Sequence, residues 1–467
     1  MSISVNSPSG TRDFLPEDMA KRNYIFKTIT SVFEKFAFLP IETPALENIE
    51  TLTGKYGDEG DQLLYKILVS RPFESKNKEG IREAFEKSLE KPVNDPRITD
   101  KALRYDLTVP FARFVVKHKN NISFPFKRYQ IQPVWRADRP QKGRYREFFQ
   151  CDADVIGSDS LLYECELTFL AQEVFSLLRV PVVIKYNSRK ILSGLAEVLD
   201  AADKFQDMVV AIDKFEKVGT AAFAELEKKG FSEKQVSQLT EIISTFQKSD
   251  SDLKRIEFLK NIFENSALGK KGLDEIEQYL GFVKDYKSGN IYEPKIELDI
   301  SLARGLNYYT GMIFEVKVNH PEALSLSITG GGRYDDLTGI FGLPGVSGVG
   351  ISFGIDRIYD VMNDLGLFPE KTKGQQGPKV LLVSMGEAEF RYCLPLAAKL
   401  RSLDIHAELY PGPAKIKKQL DFANKRGIPY VIVVGEEEIR TDLLTLKNME
   451  TGEQVKETLA GLTKILK

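Results

Sequence analysis

The sequence contains few of the residues that build disulfide frameworks and metal sites. Its 467 residues include 3 cysteines (Cys151, Cys165 and Cys393), too few for a disulfide scaffold and without a CxxC pair. The 3 histidines form no HExxH pair, so the zinc site of a metallohydrolase is not expected. A Walker A motif is also missing, which argues against the P-loop class of nucleotide-binding proteins. No protein-ligated metal is predicted.

Long hydrophobic runs and an excess of one charge are missing as well. No apolar stretch approaches the roughly 18 residues that span a bilayer. The start, MSISVNSPSGTRDF, has no apolar segment behind basic residues as a secretory signal would. Lys and Arg number 65 against 67 Asp and Glu, which excludes a globally basic nucleic-acid binder but allows a local basic surface. We predict a soluble, cytoplasmic protein without membrane contacts.

Length and local composition predict a chain of several folded parts. At roughly 150 residues per domain, the chain is long enough for about three. A Lys-, Glu- and Leu-rich stretch at helical spacing interrupts strand-like sequence, and a polar Gly-containing segment precedes alternating β and α units. The predicted parts are 1–190 and 291–366 as two halves of one domain, 191–290 as a helical insertion, 367–377 as a linker and 378–467 as a small α/β domain.

Within these parts, hydrophobic periodicity predicts individual elements. Apolar residues at helical spacing predict a helix over 16–36. Strand-like segments over 126–136 and 147–156 flank a polar loop, which predicts a long antiparallel hairpin. The charged stretch 75–99 shows little pattern and is interpreted as a surface excursion. A helix is predicted to begin near Ile355 and to end by Gly366.

Three arginines lie in apolar or glycine-rich surroundings. Arg136 follows Pro-Val-Trp, Arg304 lies in LARGLNYYTG and Arg357 follows GISFGID. An arginine is rarely fully buried unless it is paired, and a lone case is usually a structural ion pair. Three that converge on one cleft would instead suit a polyphosphate, which the guanidinium group binds in a bidentate manner.

The chain resembles histidyl-tRNA synthetases, a family of class II aminoacyl-tRNA synthetases, over essentially its whole length. The resemblance rests on the combination and order of several segments rather than on any one of them. These are GTRDFLP and IETPALE, similar to the N-terminus and motif 1; YDLTVPFARF, similar to the amino-acid loop; WRADRPQKGRYREFFQCDADVIG, similar to motif 2; LARGLNYYTG and GGGRYDDL, similar to the two histidine signatures; and GVGISFGIDR, similar to motif 3.

The resemblance implies an α+β fold and a ligase activity. It implies a class II antiparallel-sheet catalytic domain with a helical insertion, followed by a C-terminal α/β anticodon-binding domain. The implied substrates are L-histidine, ATP with Mg²⁺ and histidine tRNA, joined in two steps through a histidyl-adenylate. A homodimer formed through motif 1, around Pro44, is implied as well.

The resemblance also assigns roles in ATP binding and catalysis. Arg136 and Arg304 would face the α-phosphate and the histidine carboxylate from opposite sides, as the catalytic residues. Arg357 would cover adenine and touch the γ-phosphate. The remaining ATP contacts would come from motif 2, through Asp138, Arg144 and Phe148. Preplaced arginines suit this chemistry because attack of a carboxylate on a phosphate brings two anions together.

The histidine pocket follows from the same resemblance. Asp106, Leu107 and Thr108 would surround the substrate ammonium together with Gln150. Asp154 and Tyr308 would bind the two imidazole nitrogens, and Tyr309 would complete the wall; a carboxylate and a hydroxyl suit a ring with two nitrogen sites. Asn307 replaces the aspartate of many relatives, with little expected effect.

Transfer-RNA contacts are implied at the motif 2 loop and at the C-terminus. Arg139, Gln141 and Lys142 would meet the acceptor end. A basic helix around Lys415–Arg426 offers a phosphate surface, although such a charge run is more often simply solvated.

Two other functional classes fit parts of the pattern. One is a non-catalytic synthetase-like regulatory subunit of histidine biosynthesis, which typically lacks the anticodon domain and the ATP-contacting arginines. The other is the synthetase-like region of certain protein kinases, but the chain has no HRD or DFG motif. The intact arginines and the C-terminal region favour the ligase.

Overall fold

The computed structural model describes residues 5–70, 77–90, 95–287, 295–303, 308–321, 327–373 and 377–467. Contacts divide the chain into two compact units. The first comprises 5–13 and Arg22–Phe368, and the second comprises Phe14–Lys21 and Pro369–Lys467. Among the described residues, no helix is both long enough and apolar enough to cross a membrane.

The first unit is built on a mostly antiparallel sheet of eight strands. Its order is β1-β5-β6-β11-β10-β9-β7-β8, with parallel pairs only at the two edges. The strands are β1 (Leu39–Pro40), β5 (Phe126–Trp135), β6 (Glu147–Ile156), β7 (Val182–Ser188), β8 (Ile296–Leu298), β9 (Met312–Val318), β10 (Ser327–Tyr334) and β11 (Gly348–Gly354). A smaller antiparallel sheet of order β2-β4-β3 contains β2 (Leu46–Asn48), β3 (Lys66–Leu68) and β4 (Thr99–Leu103).

Several of the helices of this unit follow the predicted hydrophobic periodicity. The predicted helix over 16–36 is confirmed as α1 (Pro16–Lys35), with Ile25, Ile29 and Phe33 buried on one face. The others up to the sheet's last strand are α2 (Ile49–Leu52), α3 (Gly57–Gln62), α4 (Lys78–Glu90), α5 (Thr108–His118), α6 (Leu162–Leu178), α7 (Arg189–Val198), α8 (Phe205–Val218), α9 (Glu233–Lys248), α10 (Asp252–Ile262) and α11 (Ala267–Lys287). The predicted helix after β11 is confirmed as α12 (Ile355–Asp364).

The predicted long hairpin is confirmed and forms the centre of the sheet. Strands β5 and β6 pair in register from Phe126 opposite Ile156 to Trp135 opposite Glu147. On the far side of β6, β11 and β10 approach so closely that a Cβ on Gly331 would lie 2.1 Å from the carbonyl oxygen of Gly350. Glycine is therefore required here because the strands have no room for a side chain.

The regular structure of residues 191–287 is helical, as predicted. Residues 288–290 lie outside the described part of the chain. Buried residues of 191–287, such as Leu195, Leu239 and Ile276, belong to the same hydrophobic core as Phe33 and Phe353. The helices therefore share one core with the large sheet, and the contacts do not separate them as a unit.

The second unit has the predicted alternation of β and α elements. Its five-stranded sheet has the order β13-β12-β14-β15-β16, parallel for the first three strands and antiparallel for the rest. The elements are α13 (Glu370–Lys373), β12 (Val380–Ser384), α14 (Glu387–Ser402), β13 (Ala407–Leu409), α15 (Ile416–Lys425), β14 (Tyr430–Val434), α16 (Glu436–Thr441), β15 (Leu444–Asn448), β16 (Gln454–Glu457) and α17 (Leu459–Leu466).

Two segments are more regular than the sequence pattern indicated. The surface excursion over 75–99 contains α4, which buries Ala84 and leaves Phe85 and Leu89 exposed. Most residues of α4 are charged or polar, and the buried face around Ala84 is narrow. The hydrophobic periodicity was therefore too weak to predict this helix. The predicted linker contains the short helix α13, while 374–376 lie outside the described residues.

Candidate active site

A cleft of about 270 Å³ lies against the large sheet, and most of the predicted site residues line it. Its walls come from the β5–β6 hairpin, the start of α5, the segment before β9, and the β10, β11 and α12 region. The sequence-predicted residues in its lining are Asp106, Thr108, Arg136, Asp138, Arg144, Phe148, Gln150, Tyr308, Tyr309 and Arg357.

At one end of the cleft, Asp106 is the focus of a hydrogen-bonded group. Its Oδ1 accepts from the Tyr56 hydroxyl at 3.0 Å and from the Val109 amide at 3.1 Å, and its Oδ2 accepts from the Tyr308 hydroxyl at 3.2 Å. Burial raises the pKa of Asp106, while these donors and Arg136 oppose the rise. The group fixes a buried carboxyl at the position predicted for ammonium binding.

The aromatic wall beside this carboxyl consists of two tyrosines. The rings of Tyr308 and Tyr309 meet edge to face with centroids 5.0 Å apart. Burial and the adjacent Asp106 raise the pKa of Tyr308, so its hydroxyl keeps its proton and can donate. The predicted catalytic Arg304, and Asn307 with it, lie outside the described residues.

Arg136 lies in the middle of the cleft. Its Nε donates to the carbonyl oxygen of Tyr105 at 3.0 Å, and its guanidinium carbon lies 4.2 Å from the Tyr105 ring centroid and 5.2 Å from that of Phe148. The side chain is thereby held close to two aromatic rings. Since Nε is occupied, the two terminal nitrogens remain the groups best oriented for a ligand.

The other end of the cleft carries the remaining predicted ATP residues. Asp138 Oδ1 lies 3.2 Å from an Arg144 nitrogen. Arg357 donates to the carbonyl oxygens of Gly143 at 2.8 Å and Ser327 at 2.7 Å, which ties α12 to the hairpin loop and to β10. Cationic and aromatic side chains therefore line this end, while the opposite end holds the buried Asp106.

Two of the residues predicted to bind the substrate histidine, Leu107 and Asp154, lie behind the cleft rather than in its lining. Leu107 is fully buried, and its carbonyl oxygen accepts from Arg128 at 3.3 Å. Asp154 is bound by the buried Arg128 at 2.8 Å and by the Tyr334 hydroxyl at 2.7 Å. Its carboxylate fits only because residue 350 is glycine, since a Cβ there would lie 2.0 Å from Asp154 Oδ1.

A smaller cavity of about 10 Å³ is lined by Asp154 and by residues that also line the cleft. Tyr309 and Ser352 line both spaces. Asp152 points into the small cavity, and its Oδ1 has no hydrogen-bond partner among the described residues. A space of this size holds at most one water molecule.

Sequence reasoning missed Asp152, although a signal for it was present. Successive side chains of a strand alternate between faces, so residues 150, 152 and 154 of β6 share one face. The predicted strand, with Gln150 and Asp154 already assigned, therefore implied that Asp152 lies between them. Tyr105, Tyr145 and Asp356 also line the cleft, and they were missed because no single-residue pattern marks them.

We expect the stability of the unliganded protein to depend on pH through Asp152. Burial, reinforced by Asp154 and opposed by Arg128, raises the pKa of Asp152 to about 7, against about 3.9 in an unfolded chain. The folded state therefore binds this proton more tightly, and the contribution to stability is present below about pH 4 and is lost as the pH rises to about 7. Asp152→Asn, which stays neutral, should raise Tm at pH 8 by at least about 2 °C and change it little at pH 4.5.

The exposed Asp159, in the loop that follows β6, provides the matched control. Asp159→Asn should shift Tm equally at both pH values. A Tm difference for Asp152→Asn that is the same at pH 4.5 and pH 8 would show that Asp152 does not titrate in this range.

The residues predicted to contact tRNA are at the surface. Arg139, Gln141 and Lys142 are exposed on the loop between β5 and β6, and Lys142 pairs with Asp364 at 2.7 Å. In the second unit, the basic residues Lys415, Lys417, Lys418, Lys425 and Arg426 are exposed along and beside α15. Both groups are accessible to a polyanion.

Comparison with protein-family models gives two matches that together cover most of the chain. The histidyl-tRNA synthetase model matches residues 91–358, and the anticodon binding domain model matches residues 379–467. A histidine–tRNA ligase from Christiangramia forsetii is 52% identical, and the alignment covers 100% of both chains.

Solved structures give the same result at the level of the fold. A histidyl-tRNA synthetase from Nostoc sp. PCC 7120 superposes with a TM-score of 0.77 at 29% identity, covering 100% of this chain and 99% of that one. An ATP phosphoribosyltransferase regulatory subunit/histidyl-tRNA synthetase from Bacillus halodurans has a TM-score of 0.70 at 20% identity, covering 91% and 98%. The latter likeness concerns the fold alone.

Proposed function

Because the chain belongs to the histidyl-tRNA synthetase family and is a histidine–tRNA ligase, we propose that its cleft is where histidine reacts with ATP. The observation that carries this proposal is the polarity of the cleft. All of the side chains concerned line one cleft: Asp106 is hydrogen-bonded to Tyr308 in one group, whereas Arg144 pairs with Asp138 and Arg357 binds the Gly143 carbonyl oxygen in another. Thr108, Gln150 and Arg136 line the same cleft. Histidine would bind at the carboxyl-lined end and the ATP phosphates at the arginine-lined end.

In the first step, a histidine carboxylate oxygen attacks the α-phosphorus of ATP. The new P–O bond forms as the bond to the β-phosphate oxygen breaks, which gives histidyl-adenylate and pyrophosphate. The terminal nitrogens of Arg136 would bind both anions and lower their mutual repulsion without any proton transfer. Arg304 is proposed to act from the opposite side, as the family resemblance implies.

The other proposed ATP contacts come from residues at the cationic end of the cleft. The ring of Phe148 would stack on adenine with Arg357 on its other face, and Arg144 would bind the γ-phosphate. Mg²⁺ enters with ATP and would neutralise phosphate charge; it usually keeps several waters and takes one or two carboxylates besides the phosphates. Asp138, a carboxylate in the cleft lining, fits that donor set.

Histidine would be recognised through its ammonium and its ring. Asp106, Thr108 and Gln150 would bind the ammonium, with Leu107 packed behind them. Tyr308 and Asp154 are proposed to bind the imidazole nitrogens, and Tyr309 would pack on the ring. Because Asp154 lies behind the cleft wall, a small shift of Tyr309 or a water in the adjoining cavity would complete this contact.

In the second step, the terminal ribose hydroxyl of histidine tRNA attacks the adenylate carbonyl and AMP leaves. A phosphate oxygen of the adenylate is proposed to take the hydroxyl proton. Arg139, Gln141 and Lys142 would contact the acceptor end, and the C-terminal unit would read the anticodon. Their exposure and charge support this proposal.

We further propose a cytoplasmic homodimer that uses the segment around Pro44. Leu39 and Leu46 on either side of this segment are exposed, and each belongs to an edge strand. The domain boundaries 1–190, 191–290, 291–366 and 378–467 are retained as proposals.

The test is ATP–pyrophosphate exchange with the purified chain, run with histidine and with each other amino acid. Histidine alone should support exchange, and histidine tRNA should then be charged. Absence of exchange in a folded protein would instead favour the regulatory-subunit alternative, which the ligase relatives and the intact arginines argue against.

Asp154→Asn is expected to weaken histidine binding selectively. Loss of a charge-assisted hydrogen bond to the ring should raise the KM for histidine by about 10- to 100-fold, while the KM for ATP should stay nearly constant. Exchange kinetics with each substrate varied in turn measure the two constants. Asp138→Asn is the reciprocal control, because its main effect should be on ATP. Equal rises of both constants in Asp154→Asn would place the imidazole site elsewhere.

A further inference from the structure

The N-terminal segment 9–12 has no role in the proposed reaction, yet it packs against residues next to the proposed ATP site. The carbonyl oxygen of Gly10 accepts from the Arg146 amide at 2.8 Å, and that of Ser9 accepts from the Arg146 side chain at 3.3 Å. Gly10 has a φ of +85°, and a Cβ there would lie 2.8 Å from the Arg146 side chain. The segment therefore lies against the end of the hairpin loop, immediately before β6.

Arg12 of this segment binds three side chains at once. Its Nη1 donates to the Tyr145 hydroxyl at 2.9 Å and to Asp360 at 3.2 Å, and its Nη2 forms a short ion pair with Asp356. Its guanidinium carbon also lies 3.7 Å from the Tyr145 ring centroid. The same Asp356 oxygen accepts from the buried Arg22 at 2.6 Å.

The contacts around Arg12 close into a network between two elements. The Tyr145 hydroxyl donates to Asp360 at 2.7 Å, and the Phe149 amide donates to Asp356 at 2.9 Å. Tyr145 and Phe149 belong to the hairpin, whereas Asp356 and Asp360 lie one turn apart on α12. The network thus joins the hairpin to the first turns of α12.

These two elements carry the side chains proposed to hold ATP. Arg144 directly precedes Tyr145, Phe148 comes three residues after it, and Arg357 follows Asp356. Tyr145 and Asp356 themselves line the cleft. Any change in the spacing of hairpin and α12 therefore alters the distance between the two proposed faces of the adenine site.

The network also controls charge beside the triphosphate site. Asp356 and Asp360 place two carboxylates next to a pocket that must accept a polyanion. Arg12 and Arg22 neutralise them at hydrogen-bond distance. Without Arg12, one negative charge would remain uncompensated beside the phosphates, and partly buried charges are only weakly screened by salt.

We propose that Arg12 is a positioning residue for ATP: it fixes the hairpin against α12 and neutralises the acidic pair, without touching the substrate. This inference rests on the proposed function of the cleft. The planar guanidinium is needed because a lysine ammonium cannot bind two carboxylates in a fork while stacking on the Tyr145 ring.

The test is exchange kinetics of Arg12→Met, Arg12→Lys and Arg12→Met/Asp360→Asn. Arg12→Met should raise the KM for ATP by about 10-fold or more, as for a lost charge-assisted contact, with the KM for histidine within about 2-fold. Arg12→Lys, which keeps the charge, should be intermediate. The double variant, which removes the excess carboxylate, should recover part of the ATP affinity.

Arg82→Met is the matched control, because Arg82 is exposed on α4 and pairs with the exposed Glu79 at 3.5 Å. Both Michaelis constants should be unchanged in it. Equal rises for ATP and histidine in Arg12→Met, or no change, would overturn the inference. If Arg12→Met does not fold, Arg12→Lys provides the test: the KM for ATP should rise more than the KM for histidine. Exchange by the wild type tests the proposed function separately, and calorimetric titration with Mg-ATP tests Arg12 even if exchange is absent.

Discussion

Replacing Arg136 with methionine is expected to reduce histidine-dependent ATP–pyrophosphate exchange by about 10²- to 10³-fold or more, the usual cost of removing one preplaced donor to a developing anion. Arg136 lines the cleft, and its guanidinium group lies close to the Tyr105 and Phe148 rings. The protein should still fold, because among the described residues the Arg136 side chain donates a single hydrogen bond, to the Tyr105 carbonyl oxygen. Steady-state exchange and circular dichroism measure the two properties.

Two further variants make the result for Arg136 specific. Arg136→Lys keeps the positive charge but loses the bidentate geometry of the guanidinium group. Its exchange rate should therefore lie between those of Arg136→Met and the wild type. Arg391→Met removes an exposed arginine of α14 and should leave exchange unchanged. Near-normal exchange in folded Arg136→Met would remove this residue from the mechanism and leave the first step to other cations of the cleft.

Arg333→Met is expected to lower the free energy of unfolding by about 3–5 kcal/mol, the typical cost of breaking a buried ion pair. Arg333 binds both carboxylate oxygens of Glu164, at 2.5 and 2.6 Å, and the Glu164 side chain has no exposed surface. Arg333 also donates to the carbonyl oxygens of Ser158 and Ser160. Its removal would leave a buried carboxylate without a partner.

Urea unfolding of the wild type and the variants measures this effect. Arg333→Met/Glu164→Met should recover most of the lost stability, because no buried charge remains unpaired. Lys260→Met breaks an exposed ion pair with Glu277 and should have a much smaller effect. A loss in Arg333→Met as small as that of Lys260→Met would mean that water reaches Glu164 and that the pair is not structural.

The sequence predicted several regular elements because each of these has a clear hydrophobic period. Helix α1 and the hairpin of β5 and β6 have periods of about 3.6 and 2 residues, and both were found within one or two residues of their ends. Helix α4 was missed because only a narrow stripe around Ala84 is buried. Periodicity reports burial of a face, so an element that buries little gives a weak signal.

The candidate site was predicted from motifs, and most of its residues do line one cleft. The motifs could not distinguish residues in the lining from residues behind it. Within GGGRYDDL, which resembles a histidine signature, Arg333 does not line the cleft and binds Glu164 of α6. Likewise, Asp154 pairs with the buried Arg128, which no motif had marked.

The sequence by itself determined the order of elements, the family and the chemical types of residue in the cleft, since these depend on local spacing and on motif order. Only the tertiary structure decided which charged groups pair. Arg12 meets Asp356 across 344 positions of the chain, and Gly350 makes room for Asp154 on a neighbouring strand. Such pairs depend on strand register and on helix packing, which bring together residues that share no local pattern.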